Sequence, residues 1–299
     1  MSAAWSMVLS SLLFSAMGVC VKLASAHFGT GEIVMARGLV GVAGLSVIAR
    51  MRRMPLRTPV PAMHLWRSVV GVASLTMWFY ALGHMPLGTG VTLNYMSSVW
   101  MALFLIGGAV LTGAQRVDPR LVATVLTGFA GVALVLQPSI GRDQLLPGLV
   151  GLGSGVLSAL AYLQVATLGR AGEPELRVVY YFSWGGFAAG LVMTALQGPR
   201  LPDLGGLALL VATGVFATAA QLALTRAYAI GRPLTNASLQ YLGIAFSFAF
   251  GVVLFHDPLT ASALGGVALI VGAGLTASRL RARTLAVSAP DTLQMPPDS

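Results

Sequence analysis

Two short stretches of the chain place a carboxamide next to a tyrosine inside an otherwise apolar segment. They are Asn94-Tyr95 and Gln240-Tyr241, which lie 146 residues apart. Polar side chains in a membrane-spanning helix usually face the bundle interior or a water-filled cavity. The ordinary alternative is a hydrogen bond between packed helices, which contributes about 0.6 kcal/mol on average. Because the pair recurs, we favour a cavity in which these side chains bind a solute.

Further polar and aromatic residues extend this pattern. The polar residues expected to face inward are Asn94, Ser97, Ser98, Gln164, Gln221 and Gln240. An aromatic pocket with a few convergent polar groups suits a neutral amino acid with a large apolar side chain. The residues predicted to bind substrate are Trp78, Asn94, Tyr95, Ser98, Trp100, Tyr162, Gln164, Trp184, Gln240 and Tyr241. Aromatic residues near helix ends, such as Tyr80, Tyr180 and Tyr181, are more typical of the membrane interface.

Lys22 and Arg37 are basic residues within apolar segments. Snorkelling to the lipid headgroups, or pairing with Glu32, is the ordinary explanation. The functional alternative is that one of them attracts a substrate carboxylate at an outer vestibule. The sequence leaves both explanations open.

The nine acidic residues all fall in expected loops, helix ends or the tail. Proton- or sodium-coupled carriers commonly place a carboxylate or histidine inside the membrane, and a cationic drug would need a negative partner there. We therefore expect facilitated or exchange-type flux, with a proton route through peripheral groups as the weaker option.

Signatures of catalysis and metal binding are missing from the sequence. It has no HExxH motif and no nucleophile with a base at helical spacing, and Cys20 is its single cysteine. We expect no catalytic residues, no metal site and no cofactor, so the chain is predicted not to be an enzyme. A channel or a structural scaffold remains an alternative to a carrier.

The composition places these residues in a lipid bilayer. Hydrophobic residues make up 56% of the chain and charged residues 9%, with a mean hydropathy of +0.82. A spanning helix needs about 20 apolar residues, and ten such stretches predict an all-α integral membrane protein. They run approximately over 4–25, 32–50, 62–83, 88–112, 118–137, 147–169, 176–197, 203–229, 235–255 and 260–281.

The arginines set the expected orientation. With both termini in the cytoplasm, most of the 18 Lys and Arg residues, Arg67 among them, are assigned to inside loops and the tail, and only Arg142 and Arg200 to outside loops. This asymmetry is typical of a multi-pass protein of the cell inner membrane. The net charge of +9 therefore indicates topology, and no nucleic-acid partner is expected.

Other parts of the sequence also repeat. Tyr80–Gly83 matches Tyr228–Gly231, and Asp118-Pro119 matches Asp257-Pro258, where we expect Asp to cap the fifth helix of each half. The chain therefore divides into a first five-helix repeat over 1–140, a second over 141–283 and a disordered cytoplasmic tail over 284–299. Five is an odd number, so the second repeat enters the membrane from the opposite side.

Inverted repeats are characteristic of secondary transporters, with a central cavity between the halves and alternating access. Since the fourth and ninth helices run in opposite directions, the two motifs are expected at opposite depths. Asn94 and Tyr95 are predicted to contribute to an outer gate, and Gln240 and Tyr241 to an inner gate. The small-residue patterns at Gly151–Gly155 and Gly186–Gly190 are interpreted as internal packing, so we expect a monomer.

These features together resemble the EamA-type branch of the drug/metabolite transporter superfamily. The resemblance rests on the turn at Tyr80–Gly83, the polar-aromatic start of the fourth helix, and the similar fifth helices at Gly131–Leu136 and Gly266–Val271. The Leu-Asn-Tyr stretch looks like that of bacterial exporters of aromatic and other neutral amino acids. The resemblance implies export of such amino acids; the alternatives are an exchanger of phosphorylated or nucleotide-sugar metabolites, or a multidrug or cation exporter.

Overall fold

The computed structural model describes residues 2–111, 145–231 and 239–287, together with residue 236 and seven positions between 123 and 134. This part of the chain is helical and contains no strand, as expected for an all-α membrane protein. Six of its helices are long and apolar enough to cross a bilayer. The fifth predicted segment, 118–137, lies largely outside the described residues.

Ten helices have bounds within the described residues and are numbered here in chain order. They are α1 (Ala3–Ala24), α2 (Thr30–Met51), α3 (Pro61–His84), α4 (Leu87–Tyr95), α5 (Ser97–Leu111), α6 (Leu145–Arg170), α7 (Glu175–Gln197), α8 (Leu204–Ile230), α9 (Leu242–Phe255) and α10 (Ala261–Val287). The six candidate spans are α1, α2, α3, α6, α7 and α8.

Local sequence signals explain several helix starts. The Ser2 hydroxyl accepts a hydrogen bond from the backbone N–H of Trp5 at the start of α1, and the Asp203 carboxylate accepts from Gly206 at the start of α8. These caps satisfy backbone donors that have no partner within the helix. Pro61 begins α3 at the position where proline costs no hydrogen bond.

Packing joins helices that are distant in sequence. The most extensive contacts are those of α2 with α7, α1 with α8, and α3 with α6. Glycines allow the closest of these approaches, because a Cβ at Gly38 would overlap the backbone nitrogen of Phe187, and one at Gly190 would overlap that of Met35. The Gly186–Gly190 pattern thus packs inside the bundle against α2.

The fourth predicted helix is interrupted. A turn at Met96 separates α4 from α5, and the Met96 carbonyl accepts from the N–H groups of both Val99 and Trp100. No glycine or proline stands at this break. On the other side, α6 approaches closely, since a Cβ at Gly155 would lie 2.8 Å from the Leu93 carbonyl oxygen. A turn also falls at Tyr241, so both repeated motifs lie at helix breaks.

One sequence prediction near the end of the chain is wrong. Asp257 does not cap the tenth helix, because α10 begins at Ala261 and the Thr260 hydroxyl accepts from the Ala263 N–H instead. The last helix extends to Val287, four residues into the predicted tail over 284–299, and disorder of that tail remains a prediction. Asp118 and residues 288–299 lie outside the described residues.

Candidate functional site

A cavity lies between helices from both parts of the chain. Its wall is formed by Phe14, Arg67, Gly71, Ser74, Leu75, Trp78, Asn94, Tyr95, Ser158, Ala161, Tyr162, Phe182 and Gln221. These residues come from α1, α3, α4, α6, α7 and α8. Its volume is about 40 Å³, which is room for a few water molecules. A metabolite would need a wider state of the same site.

A serine and asparagine network forms one polar wall of the cavity. The Asn94 amide nitrogen donates to the hydroxyls of Ser154 and Ser158, both at 3.0 Å. Ser74 on α3 donates to the Ser154 carbonyl at 2.8 Å and lies 2.7 Å from the Ser158 hydroxyl. This network joins α3, α4 and α6. For Asn94, the interhelical hydrogen bond considered from the sequence is therefore present, and at the edge of a cavity.

Tyrosines and a glutamine form a second polar group next to this wall. Tyr162 stacks on Tyr228 with ring centroids 5.5 Å apart. The Gln240 carboxamide lies next to the Tyr162 hydroxyl, but its geometry does not meet the criteria for a hydrogen bond. Within the described structure, the hydroxyl of Tyr95 also has no hydrogen-bond partner, and that of Tyr241 faces Ser98. Buried polar atoms are almost always satisfied, so this group is suited to contact water or a polar solute.

The two repeated motifs converge on this region. A Cβ at Gly243, two residues after Tyr241, would lie 2.6 Å from the Tyr95 hydroxyl oxygen. Asn94 and Gln240 also share a neighbour, because Tyr162 interacts with Gln240 and with Ser158, a partner of Asn94. The side chain of Tyr95 thus reaches the backbone next to the second motif, and the expected difference in depth between the two motifs remains a prediction.

Two arginines lie inside the bundle against one aromatic ring. The guanidinium carbon of Arg67 is 4.1 Å and that of Arg37 is 4.8 Å from the ring centroid of Phe182. Each arginine is only 3% exposed. Two expectations from the sequence are therefore wrong: Arg67 belongs to α3 rather than to an inside loop, and Arg37 neither snorkels nor pairs with Glu32.

The Glu32 carboxylate has other partners. It accepts hydrogen bonds from the backbone N–H groups of Gly29 and Arg200, so it ties the start of α2 to the connection before α8. Lys22 also differs from the expected pairing, because its ammonium group lies 3.1 Å from an Asp257 carboxylate oxygen. Its role as a vestibule charge for substrate remains a prediction.

The predicted binding residues are distributed unevenly around the cavity. Four of them line it: Trp78, Asn94, Tyr95 and Tyr162. Three are buried close to this region, namely Ser98, Gln240 and Tyr241, with Ser98 beside Tyr241. Three are not part of the wall: Trp100 and Gln164 are half-buried, and Trp184 is 44% exposed and packs its ring against Phe187. The function of all ten remains a prediction.

The sequence interpretation missed the positive side of the cavity and its aromatic support. Arg67 falls five residues inside the predicted segment 62–83 and could have been recognised as an intramembrane charge. Gly71, one helical turn later, has no side chain that would occupy the space of the Arg67 guanidinium. Phe182 carried no signal beyond an apolar helix.

Charged clusters close both ends of the bundle. At one end, here called the Asp257 end, the Asp257 carboxylate binds the ammonium of Lys22 and accepts from the backbone N–H of Leu87 at 2.9 Å. It thereby joins α1, the start of α4 and the segment before α10.

At the opposite end, here called the Glu173 end, Glu173 lies between α6 and α7. Its carboxylate accepts from His64 Nε2 at 3.1 Å, from Thr58 at 3.0 Å and from Arg177 at 3.1 Å. Burial raises the pKa of this carboxyl, but the hydrogen bonds from His64 and Thr58 and the charge of Arg177 outweigh it, so the pKa lies below its ordinary value.

Comparison with known proteins establishes the family. The chain is 30% identical over 277 residues to the pseudopaline exporter CntI of Pseudomonas aeruginosa, covering 92% of this chain and 95% of that protein. The chain belongs to the same transporter family. It is also 27% identical over 280 residues to a riboflavin transporter of Brucella anthropi, covering 90% of this chain and 95% of the relative. No family model matches the chain.

A solved crystal structure shares the fold. It superposes with a TM-score of 0.69 at 21% sequence identity, over 94% of this chain and 98% of that one. The relatives are named as transporters of different small molecules, and the apolar helices make this a multi-pass membrane protein. The chain is therefore a membrane transporter of small metabolites, of a drug/metabolite-transporter-like family.

Proposed function

We propose that this transporter is a secondary exporter that moves a small metabolite through the central cavity by alternating access. The observation that carries the proposal is the position of the cavity, whose wall takes side chains from α1, α3 and α4 and from α6, α7 and α8. A cavity between two groups of helices can open to either side when one group moves against the other. Such a cycle requires no catalytic residue or cofactor.

The packing pattern supports two inverted five-helix repeats, over 1–140 and 141–283. In an inverted repeat of this kind, α1 corresponds to α6 and α3 to α8. The contact of α1 with α8 is then the repeat equivalent of the contact of α3 with α6, and both contacts are extensive. The helices α2 and α7 correspond to each other, so the repeat symmetry maps their contact onto itself. The predicted fifth segment, 118–137, also meets α10, because a Cβ at Gly131 would lie 2.7 Å from the Gly266 carbonyl oxygen.

The substrate class that we propose first is an amino acid or related compound with an aromatic or other apolar group. Trp78 and Phe14, whose ring centroids are 6.1 Å apart, offer an apolar surface in the cavity, and Tyr162 adds a polar-aromatic one. A cation exporter is disfavoured because no acidic side chain lines the described cavity. Exchange of phosphorylated metabolites is the second candidate, favoured by Arg67 in the wall.

The two end clusters are proposed to take part in gating together with the repeated motifs. With both termini in the cytoplasm, the Asp257 end faces outside and the Glu173 end faces the cytoplasm. The outer gate then includes Asn94 and Tyr95, and the inner gate includes Gln240 and Tyr241. The helix breaks at these motifs allow the backbone to bend there. Cysteines at 94 and 240 that label equally from one side in every state would contradict this assignment.

Counterflow in proteoliposomes tests the transport proposal. Vesicles loaded with unlabelled phenylalanine, tryptophan, riboflavin or a sugar phosphate are diluted into a trace of the same labelled solute, with and without a proton gradient. Transient, saturable accumulation of one solute is expected without the gradient, because exchange needs no ion coupling. Linear, non-saturable uptake would indicate a channel, and accumulation only with the gradient would contradict facilitated exchange.

A further inference from the structure

The two buried arginines lack the partners that buried charges normally have. Within the described residues, ion pairs join Lys22 to Asp257 and Arg177 to Glu173, and His64 lies within hydrogen-bond distance of Glu173. Neither Arg37 nor Arg67 has a carboxylate within pairing distance there. The Nε and Nη1 atoms of both arginines are buried without a hydrogen-bond partner.

Packing alone does not explain this arrangement. The ring of Phe182 offers a favourable face to both cations, but it cannot accept the hydrogen bonds of a guanidinium group. Snorkelling to water is excluded at 3% exposure. A buried charge without a partner destabilises a fold strongly, so its presence calls for a partner that arrives during function.

The local sequence makes room for the Arg67 guanidinium. A Cβ at Gly71 would overlap the Arg67 Nη1 atom and would lie 2.9 Å from the Phe182 ring. Because residue 71 is a glycine, the guanidinium can lie along α3 and form part of the cavity wall. Trp78, Asn94 and Tyr162 line the same cavity. The positive group is therefore next to the surface that we propose for the apolar part of a solute.

We propose that Arg67, with Arg37 behind the shared Phe182 ring, binds an oxyanionic group of the transported metabolite, either a carboxylate or a phosphate. A guanidinium group presents paired N–H donors that match such oxygens. Because no acidic side chain in the described cavity wall can pair with an ammonium group, the site prefers a net anion to a zwitterion. This inference rests on the proposed transport function and, within the first substrate class proposed there, favours related compounds that lack an ammonium group over the amino acids themselves.

Binding to the purified full-length protein in detergent tests the inference without requiring transport. The probes are 3-phenyllactate, phenylalanine, phenethylamine and phenyl phosphate, which share a ring and differ in charge. Affinity is measured from the fluorescence of Trp78 and its neighbours and from the shift in Tm. We expect phenyllactate to bind more tightly than phenylalanine, and phenethylamine to bind weakest.

Two variants and two matched controls assign the effect to the arginine. Arg67→Gln removes the charge, and Gly71→Ala displaces the guanidinium while the charge is kept; each should weaken phenyllactate binding by about tenfold or more. Arg226→Gln changes an exposed arginine on α8, and Gly44→Ala adds a Cβ where no atom lies within 4 Å. Both controls should bind as the unmodified protein does.

Each outcome separates the explanations. Equal affinity for phenyllactate and phenylalanine, no binding of either anion, or phenyllactate binding that survives Arg67→Gln would overturn the anion site. Tighter binding of phenyl phosphate with the same Arg67 dependence would support the site and identify phosphate as its ligand. Anion binding without any counterflow would count against the transport proposal alone, whereas counterflow of phenylalanine unaffected by Arg67→Gln would count against the anion site alone.

A misfolded variant would be recognised by its stability without ligand. Because the unpaired charge destabilises the ligand-free protein, Arg67→Gln should have a Tm equal to or higher than that of the unmodified protein. A lower Tm together with lost binding would show that Arg67 supports the fold, and would overturn the inference.

Discussion

Charged groups at the centre of the bundle differ from those at its ends. At the ends, each carboxylate of the two clusters has several partners: Asp257 binds Lys22 and a backbone N–H, and Glu173 binds His64, Thr58 and Arg177. At the centre, Arg37 and Arg67 have an aromatic ring and no described counter-charge. Paired charges hold helices together, whereas unpaired buried charges are poised to bind something else.

The strongest test of this contrast replaces both central arginines. Arg67→Gln should lower transport by about tenfold or more, and the double variant with Arg37→Gln by about 100-fold, because each lost charge-assisted interaction is worth about 1.5–3 kcal/mol. Counterflow of the solute identified in the panel measures the rate. A double variant with an unchanged rate would show that the central charges do not contact the solute.

Stability should change in the opposite direction. Arg67→Met keeps a similar volume and removes the buried charge, so the free energy of unfolding should stay equal or rise by about 1–4 kcal/mol. Thermal unfolding in detergent measures this change, with Arg226→Met as the exposed control. A clear loss of stability would mean that the central arginines are structural, like the charges at the ends.

Replacement at the Glu173 end should destabilise the protein. Glu173→Gln weakens the acceptor for His64, Thr58 and Arg177, and a buried donor that loses its partner costs about 1–3 kcal/mol. A lower Tm is therefore expected. Glu175→Gln, in the first turn of α7, is the neighbouring control and should have a smaller effect.

The lowered pKa of Glu173 also implies that the stability of the protein falls in acid. The pKa of Glu173 is lower in the folded protein than its ordinary value of 4.5, so its contribution is complete above that value and is lost as the pH falls through the lower folded pKa. A profile of Tm against pH should therefore decline in acid, and Glu173→Gln should flatten the decline. An equally steep acid decline in the variant would assign it to other carboxylates.

The smallest effect is expected at the Asp257 end. The Lys22 and Asp257 side chains are 19% and 17% exposed, and partly exposed ion pairs contribute about 0.2–1 kcal/mol. Lys22→Gln should therefore lower Tm only slightly, and added salt should reduce the difference from the unmodified protein. A loss as large as that of Glu173→Gln would show that the two ends are held equally tightly.

The sequence predicted the membrane character and four of the residues that line the cavity, because both depend on residue type. Six of the described helices are long and apolar enough to span a bilayer, and Trp78, Asn94, Tyr95 and Tyr162 share a cavity. The partners of charged residues were predicted poorly. Lys22 pairs with a residue 235 positions away, and such contacts depend on how distant helices pack rather than on spacing along the chain.

The breaks and caps show the same limit. α4 ends before the turn at Met96 without glycine or proline, and α6 packs closely against its last turn, at Leu93. The sequence Asp257-Pro258 was predicted to cap a helix, but the carboxylate pairs with the Lys22 ammonium and accepts a hydrogen bond from the Leu87 N–H instead. A short polar side chain has several possible partners, and the tertiary structure selects among them.

The amino-acid sequence by itself determined that this protein lies in a membrane, since 56% hydrophobic and 9% charged residues leave no other solvent for its helices. Its repeated motifs also indicated an internal site. Only the tertiary structure decided which charges are neutralised, because pairing requires atoms a few ångströms apart. It left Arg37 and Arg67 at the centre without a described counter-charge, and thereby indicated what kind of solute the site can hold.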